Sequence, residues 1–440
     1  MSDVEIESGG IAENEVVKPG GSTKAVVAGT IGNVLEWFDF GIYGYFAPFI
    51  GMLFFPRSDP LASLFSAFAV LAVGALSRPL GAVVFGWIGD REGRRASLMA
   101  TVLLMAGATF TIGILPTYAQ IGVLAPALLI VARLLQGLSS GGEWGGSAAF
   151  MVEYAPDNRR GFIGSFQQVS TGFGFFLGSL FGLAVTSTMS PQTILDWGWR
   201  LPFLSGILLG AIGLYMRLQL EDTPKFKALR QRGERSRSPL MDSLRTQYAG
   251  IIVAFGYNVI QSVRYFTMLT FMPSFASEVL KLPPDRAFLS NSIQILVFVL
   301  SLPVMGAFSD RIGRKPMMLA ATLVLMLATY PLFQLIIKGS LFTIILCQLV
   351  FGIVLAAYCG PAVAATVELF PTRLRYTSTS IGFNLAVALL GMTSPMISTR
   401  LISGLKTPAA PGYVIIAASA ISFVAVLFGC KEPAWEPLKQ

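Results

Sequence analysis

Apolar and polar positions alternate along this chain in long blocks, not in the short periods of a soluble fold. Twelve apolar runs lie near 25–54, 62–88, 97–116, 122–152, 162–186, 201–219, 248–278, 286–308, 316–337, 341–369, 377–402 and 411–430. About 20 residues at 1.5 Å per residue cross roughly 30 Å of hydrocarbon, and each run reaches that length. The pattern predicts an all-α integral membrane protein with twelve transmembrane helices, numbered here helix 1 to helix 12. The polar blocks divide it further. Residues 1–24 read as a disordered tail, 25–219 as a first six-helix bundle, 220–247 as a loop between halves, 248–430 as a second bundle and 431–440 as a second tail.

The two bundles echo each other. Gly86-x-x-x-Asp90-Arg91-x-Gly93-Arg94-Arg95 returns as Gly306-x-x-x-Asp310-Arg311-x-Gly313-Arg314-Lys315. Glu153-x-x-Pro156 with Arg160 returns as Glu368-x-x-Pro371 with Arg375. Two echoes at nearly one offset indicate a duplicated chain. In a membrane, two similar halves can rock about a site between them.

Composition and charge narrow the classes. Hydrophobic residues make up 54% and charged residues 13%, against about 25% charged in ordinary soluble domains. Of the 32 Lys and Arg, 22 fall in the tails and in the loops after even-numbered helices, and only 7 on the opposite side. Positive residues collect inside, so the richer side and both termini are expected in the cytoplasm. The basic run Lys225–Arg237 then reads as an inner loop near anionic lipid headgroups, not a nucleic-acid site. Three cysteines without ligand spacing and no histidine give no metal, haem or cofactor site and no catalytic constellation. The chain is not read as an enzyme. A channel would present rings of repeated charge, which the sequence lacks.

Charges inside the spans carry the functional argument. Each costs about 2.5–3.5 kcal/mol at the bilayer centre unless it is paired or wet. Glu36, Asp39 and Tyr43 share one face of helix 1; Arg133, Gln136, Ser140 and Glu143 share one face of helix 4. Tyr257, Gln261 and Arg264 share a face of helix 7, and helix 5 adds Gln167 and Gln168. Arg78 lies about as deep as Glu36, roughly 16 Å from the cytoplasmic ends, and is expected to pair with Glu36 or Asp39. Without histidine, a proton-coupled mechanism must use Glu36, Asp39 or Glu143. Arg133 and Arg264, one in each half, would face each other across a central cavity and hold a carboxylate in their planar forks. Tyr43, Gln136, Gln167, Gln168, Tyr257 and Gln261 complete the expected substrate-binding set. Glu153 and Glu368 are expected to pair with loop arginines such as Arg160 and Arg375.

The paired loop phrases and Arg133-x-x-Gln136-Gly137 resemble the major facilitator superfamily. Gly32-Asn33-x-x-Glu36-Trp37-Phe38-Asp39-Phe40, Arg78-Pro79-Leu80-Gly81, Gln136-Gly137-x-Ser139-x-Gly141-Gly142-Glu143 and Trp197-Gly198-Trp199-Arg200-x-Pro202-Phe203 resemble its metabolite:proton symporter family. That family includes citrate, α-ketoglutarate and proline/betaine transporters. The resemblance implies two six-helix halves, alternating access, no cofactor beyond the coupling proton, and a bacterial inner membrane. It further implies a cytoplasmic gate from Asp90, Arg91, Arg94, Asp310, Arg311 and Arg314. Gly174-x-x-x-Gly178 is followed by Ser179 and not by the proline of drug antiporters, which counts against drug exchange. The substrate expected first is a small organic acid, a di- or tricarboxylate. A zwitterionic osmolyte of the proline/betaine type is the alternative, and a transporter-like receptor a remote one. The carrier is expected to work as a monomer.

Overall fold

The computed structural model describes residues 19–56, 59–92, 94–141, 143–153, 155–218, 239–371 and 374–430; for 19–29, 31, 86–87, 89–92, 94–96, 98, 209, 216–218 and 239 it describes the backbone alone. No strand occurs among the described residues. Helix 1 is Pro19–Tyr45 continued by Ala47–Phe54, and helix 2 is Pro60–Leu76 continued by Arg78–Glu92. Helix 3 is Arg94–Ile114, and helix 4 is Leu124–Ser139 continued by Glu143–Glu153. Helices 5 and 6 are Arg160–Thr188 and Leu201–Leu218. Helix 7 begins as Tyr248–Arg264 and runs on through two π segments, Tyr265–Thr270 and Phe275–Val279. Helices 8, 9 and 10 are Pro284–Ile312, Arg314–Lys338 and Leu341–Glu368. Helix 11 is Arg375–Ala386, a π segment Val387–Gly391, then Ser394–Leu405; helix 12 is Ala410–Gly429.

Twelve helical runs therefore stand where the apolar pattern put them. Nine of them, among the described residues, are long and apolar enough as they stand to cross a membrane. The others are helices 1, 3 and 7. Helix 3 keeps an apolar stretch of only Met99–Ile114 among the described residues.

Two expectations about loops need correction. The described part of helix 1 reaches back to Pro19, inside the stretch read as a tail. The stretch read as an inter-half loop contains a helix, Pro239–Thr246. Its Leu240, Met241 and Leu244 are exposed together on one side, the mark of a short amphipathic helix packed on helix 11.

The breaks have local causes. Helix 1 breaks before Pro48, helix 2 before Pro79 and helix 4 at Gly141. A break frees backbone carbonyls that must be satisfied inside a membrane. Those of helix 4 are met by side chains: Ser140 O accepts from Arg78 Nη2 at 3.2 Å, and Gly141 O accepts from Asn384 Nδ2 at 2.8 Å. Helices 2 and 4 touch backbone to backbone. A Cβ on Gly81 would overlap Leu138 O, and one on Gly137 would overlap Gly74 O.

Candidate functional site

Helix 1 has two working faces. One, with Glu36 and Asp39, looks into the first half. It lines a cavity of ≈ 20 Å³ with Gly32 and Leu35, Thr101 and Met105 of helix 3, Ser139 and Glu143 of helix 4, and Gly206 and Gly210 of helix 6. All three carboxylates singled out for proton transfer thus share one space, about enough for a single water. Glu36 pairs with Arg78 at 3.0 Å, as expected, and both are buried. Arg78 Nε also donates to Asn384 Oδ1 of helix 11 at 3.0 Å. The ion pair of the first half is therefore tied to the second.

Arg133 lies deeper in the first half. Its guanidinium sits 4.0 Å from the centre of the Tyr43 ring and 5.4 Å from that of Phe40. Nη1 donates to Gln136 Oε1 at 2.6 Å, and Gln136 Nε2 donates to Thr109 Oγ1 at 2.6 Å. The Tyr43 hydroxyl donates to Ala67 O at 3.0 Å. Tyr43, Arg133 and Gln136 are brought together as the sequence suggested, but they engage one another. Arg133 and Arg264 share no described partner, and Arg133 Nε and Nη2 are buried without a hydrogen bond among the described residues. The aromatic stack and Gln136 hold Arg133 within its own half.

The other face of helix 1 meets the second half. Trp37 lies with its ring centre 5.5 Å from Phe175 of helix 5, 5.3 Å from Tyr265 and 6.1 Å from Phe266 of helix 7, and 6.4 Å from Phe383 of helix 11. Asn33, one turn earlier, accepts from Trp37 Nε1 at 3.0 Å and donates to Ser170 Oγ at 2.7 Å and Thr171 Oγ1 at 2.9 Å. Closer to the basic loops, Trp144 stacks on Phe383 at 3.7 Å across the same seam.

Unmatched polar groups gather along this seam. Arg264 is wholly buried, and none of its three nitrogens has a hydrogen bond among the described residues. It stacks on the rings of Tyr265 at 4.2 Å and Phe298 at 4.0 Å, and no carboxylate pairs with it among the described residues. The side-chain amides of Gln167 and Gln168 and Gln261 Oε1 are likewise buried without a hydrogen bond among the described residues, whereas the Tyr257 hydroxyl faces Cys430 and Tyr358 within the second half. Each such neutral group costs about 1–3 kcal/mol and a charge costs more. In a functional protein such a cluster marks where a polar ligand would complete the bonding.

The basic-loop end of the seam carries charge. Asp310 accepts from the backbone N–H of Gly161 and of Phe162, both at 2.8 Å. It thereby caps the N-terminus of helix 5 from the other half, where the helix dipole favours an anion. Arg314 donates to Asp310 Oδ1 at 2.7 Å and lies 3.5 Å from Glu368. Arg375 pairs with Glu153 at 2.7 Å, and Arg160, also bonded to Asp157, lies 3.8 Å from Glu368. The glutamates do pair with Arg160 and Arg375, and each pair crosses between halves. Arg311 is exposed on the surface. The side chains of Asp90, Arg91 and Arg94 lie outside the described residues.

Among the described residues, the opposite end is closed without charge. Ser179 Oγ lies 2.8 Å from Ser292 Oγ and accepts from Asn291 Nδ2 at 3.1 Å. Tyr45 packs on Phe288 at 5.8 Å and Phe68 on Phe271 at 5.5 Å. Sequence reasoning missed Trp37, Phe175, Tyr265, Phe383, Asn384 and Asn291. In the sequence, 33 phenylalanines hide the few that meet across the seam.

A duplicated twelve-helix bundle with a polar, unmatched seam closed at both ends defines a membrane transporter. The chain belongs to the major facilitator superfamily. Residues 24–249 match the sugar (and other) transporter family and residues 289–439 the major facilitator superfamily itself. It is 36% identical over 436 residues to a glycine betaine/proline/ectoine/pipecolic acid transporter of Dickeya dadantii, covering 96% of this chain and 86% of the relative. It is 34% identical over 433 residues to a proline/betaine transporter of Escherichia coli, again covering 96% and 86%. Among solved structures it resembles the xylose transporter of Escherichia coli in a partially occluded, inward-open conformation. The TM-score is 0.73 at 17% identity, covering 92% of this chain and 96% of that one. A D-xylose–proton symporter gives 0.72 at 18%, with the same coverage. These structural likenesses speak for the fold alone.

Proposed function

We propose that this protein imports a zwitterionic osmolyte of the proline/betaine type together with protons, across a bacterial cytoplasmic membrane. The observation that carries the reading is Arg264, a buried guanidinium with no counter-ion among the described residues, at the seam between halves. A substrate carboxylate would supply that counter-ion. The names of the relatives supply the rest of the substrate, a positive pole beside the carboxylate. The organic-acid reading loses ground, because the relatives are named for betaine and proline and not for di- or tricarboxylates.

Gln167, Gln168 and Gln261 would bond the substrate around Arg264, with Tyr257 behind them in the second half. Tyr43 and Gln136 would hold Arg133 in position. Glu36, Asp39 and Glu143 would carry the proton in their shared cavity, with the Arg78–Asn384 contact passing its state to the second half. Asp310 and Arg314, with Asp90, Arg91, Arg94 and Arg311, would form the cytoplasmic gate. The charge count supports the basic-loop face as the cytoplasmic one, and a single chain holds both halves of the site. A zwitterion moves no net charge, so one proton per cycle would draw the full membrane potential, about 2.3 kcal/mol per 100 mV.

Uptake of labelled glycine betaine and proline into cells making the protein tests this. Uptake should rise with an inward proton gradient and collapse with a protonophore; indifference to both overturns symport. Arg264→Gln should abolish uptake while the protein stays folded in the membrane, since the side chain has no hydrogen bond among the described residues to lose. Normal uptake by that variant overturns the role of Arg264.

A further inference from the structure

We propose that Trp37, Phe175, Tyr265 and Phe266 form a divided aromatic cage for a quaternary ammonium group, with Arg264 as the adjoining carboxylate subsite. The inference rests on the zwitterion reading above and says how its positive pole is recognised.

A buried cation needs either an acid or the negative face of a ring. The acids near this seam are committed elsewhere: Glu36 to Arg78, and Asp39 and Glu143 to the cavity inside the first half. The rings remain, and a tryptophan face is the strongest cation binder among them. Trp37 is held by its indole N–H on Asn33, which is itself anchored to helix 5. That arrangement fixes the plane of the ring. Phe175 and Tyr265 lie nearly parallel, with centres 5.7 Å apart and planes at 27°, and Phe266 stands edge-on to Phe175 at 89°.

The chain places the two subsites side by side. Tyr265 follows Arg264 directly, and the guanidinium lies 4.2 Å from the Tyr265 ring. A ligand with a carboxylate one or two bonds from its ammonium can reach both. A cation alone would be repelled by Arg264, so the cage should accept a zwitterion and reject a simple amine.

The cage is divided because its walls come from different halves. Trp37 and Phe175 belong to the first, Tyr265 and Phe266 to the second. In this structure the walls close on one another, with ring centres 5.3–6.3 Å apart. A methylated ammonium therefore enters only as the halves part. The π segment that carries Tyr265 and Phe266 gives helix 7 a wider turn there, a form that recurs at functional sites.

The test uses the whole protein in proteoliposomes with an imposed proton gradient. The probes are glycine betaine, proline and 3,3-dimethylbutanoate, which keeps the shape and carboxylate of betaine but replaces its charged nitrogen with carbon. The cage predicts that the uncharged probe competes at least about tenfold more weakly than betaine. Trp37→Leu and Tyr265→Leu should each raise the half-saturating concentration of betaine about tenfold, and that of proline less. Trp37→Phe and Tyr265→Phe keep a ring and should stay within about threefold of the native protein. Equal competition by the uncharged probe would reduce the cage to a greasy slot and overturn it. Leu variants that shift betaine and proline equally would do the same, as a purely structural effect predicts. If the native protein moves neither betaine nor proline, the zwitterion reading itself falls. If it moves betaine but treats the uncharged probe alike, the cage falls alone.

Discussion

The two ends of the seam close the same gap with opposite chemistry. At the basic-loop end, Asp310 caps helix 5, and Glu153, Arg160, Glu368 and Arg375 pair across the halves. At the other end, hydroxyls, an amide and aromatic edges do the closing around Ser179, Ser292, Asn291 and Phe288. Charge at a partly wet surface makes a closure that is strong and geometrically selective, and that water competes for as soon as it parts. Hydroxyl and ring contacts are individually weak and open with little loss. The molecule is therefore expected to favour closure at the basic-loop end when both sites are empty, and to need a specific event to release it.

The comparison breaks most visibly at Glu153–Arg375. Glu153 is partly exposed, so the pair is worth less than a fully buried one. Arg375→Gln should still cost closure at that end about 2 kcal/mol, some thirtyfold in equilibrium. Hydrogen exchange should rise in the first turns of helices 5 and 11 and stay unchanged around Ser179. Exchange rising equally at both ends would erase the distinction. The exchanged pair Glu153→Arg with Arg375→Glu should recover part of the loss.

Asp310→Asn should have a smaller effect, about 1–2 kcal/mol, because the amide still accepts one backbone N–H while the charge on the helix terminus and on Arg314 is lost. The same exchange measurement reads it, and an effect confined to helix 9 would mean that the cap on helix 5 is incidental. Ser179→Ala should cost least, about 1 kcal/mol or below. It should speed opening at the uncharged end without altering exchange at Gly161 and Phe162. A slowed transport cycle equal to that of Arg375→Gln would show that the hydroxyl end is the firmer closure after all.

Much of this was legible from residue order. Helix positions follow from run length, because the bilayer fixes how many apolar residues a span needs. Arg78–Glu36 follows from equal depth, and the shared space of Glu36, Asp39 and Glu143 follows from helical faces. What stayed hidden depends on how the halves meet. Nothing in sequence spacing tells Glu153 to choose Arg375, 222 positions away, over Arg160, seven away. The ring stacked on Arg133 stayed hidden for a related reason. Facing charges can be inferred from depth, but a ring such as Tyr43 that takes one of them aside cannot. The π segments of helices 7 and 11 also leave no mark in hydropathy, and they set where Tyr265 and Phe266 point.

The crossed pairs carry one more consequence. Glu153 meets Arg375, and the equivalent Glu368 meets the equivalent Arg160. Residue i of one unit touches j of the other, and j touches i. That is the reciprocity of an isologous interface between two identical subunits related by a two-fold axis. Here both subunits lie on one polypeptide, so the interface has the logic of a homodimer with its partners fused. Fusion frees each copy to diverge, and the first half has kept the carboxylate cavity while the second has kept the uncompensated arginine.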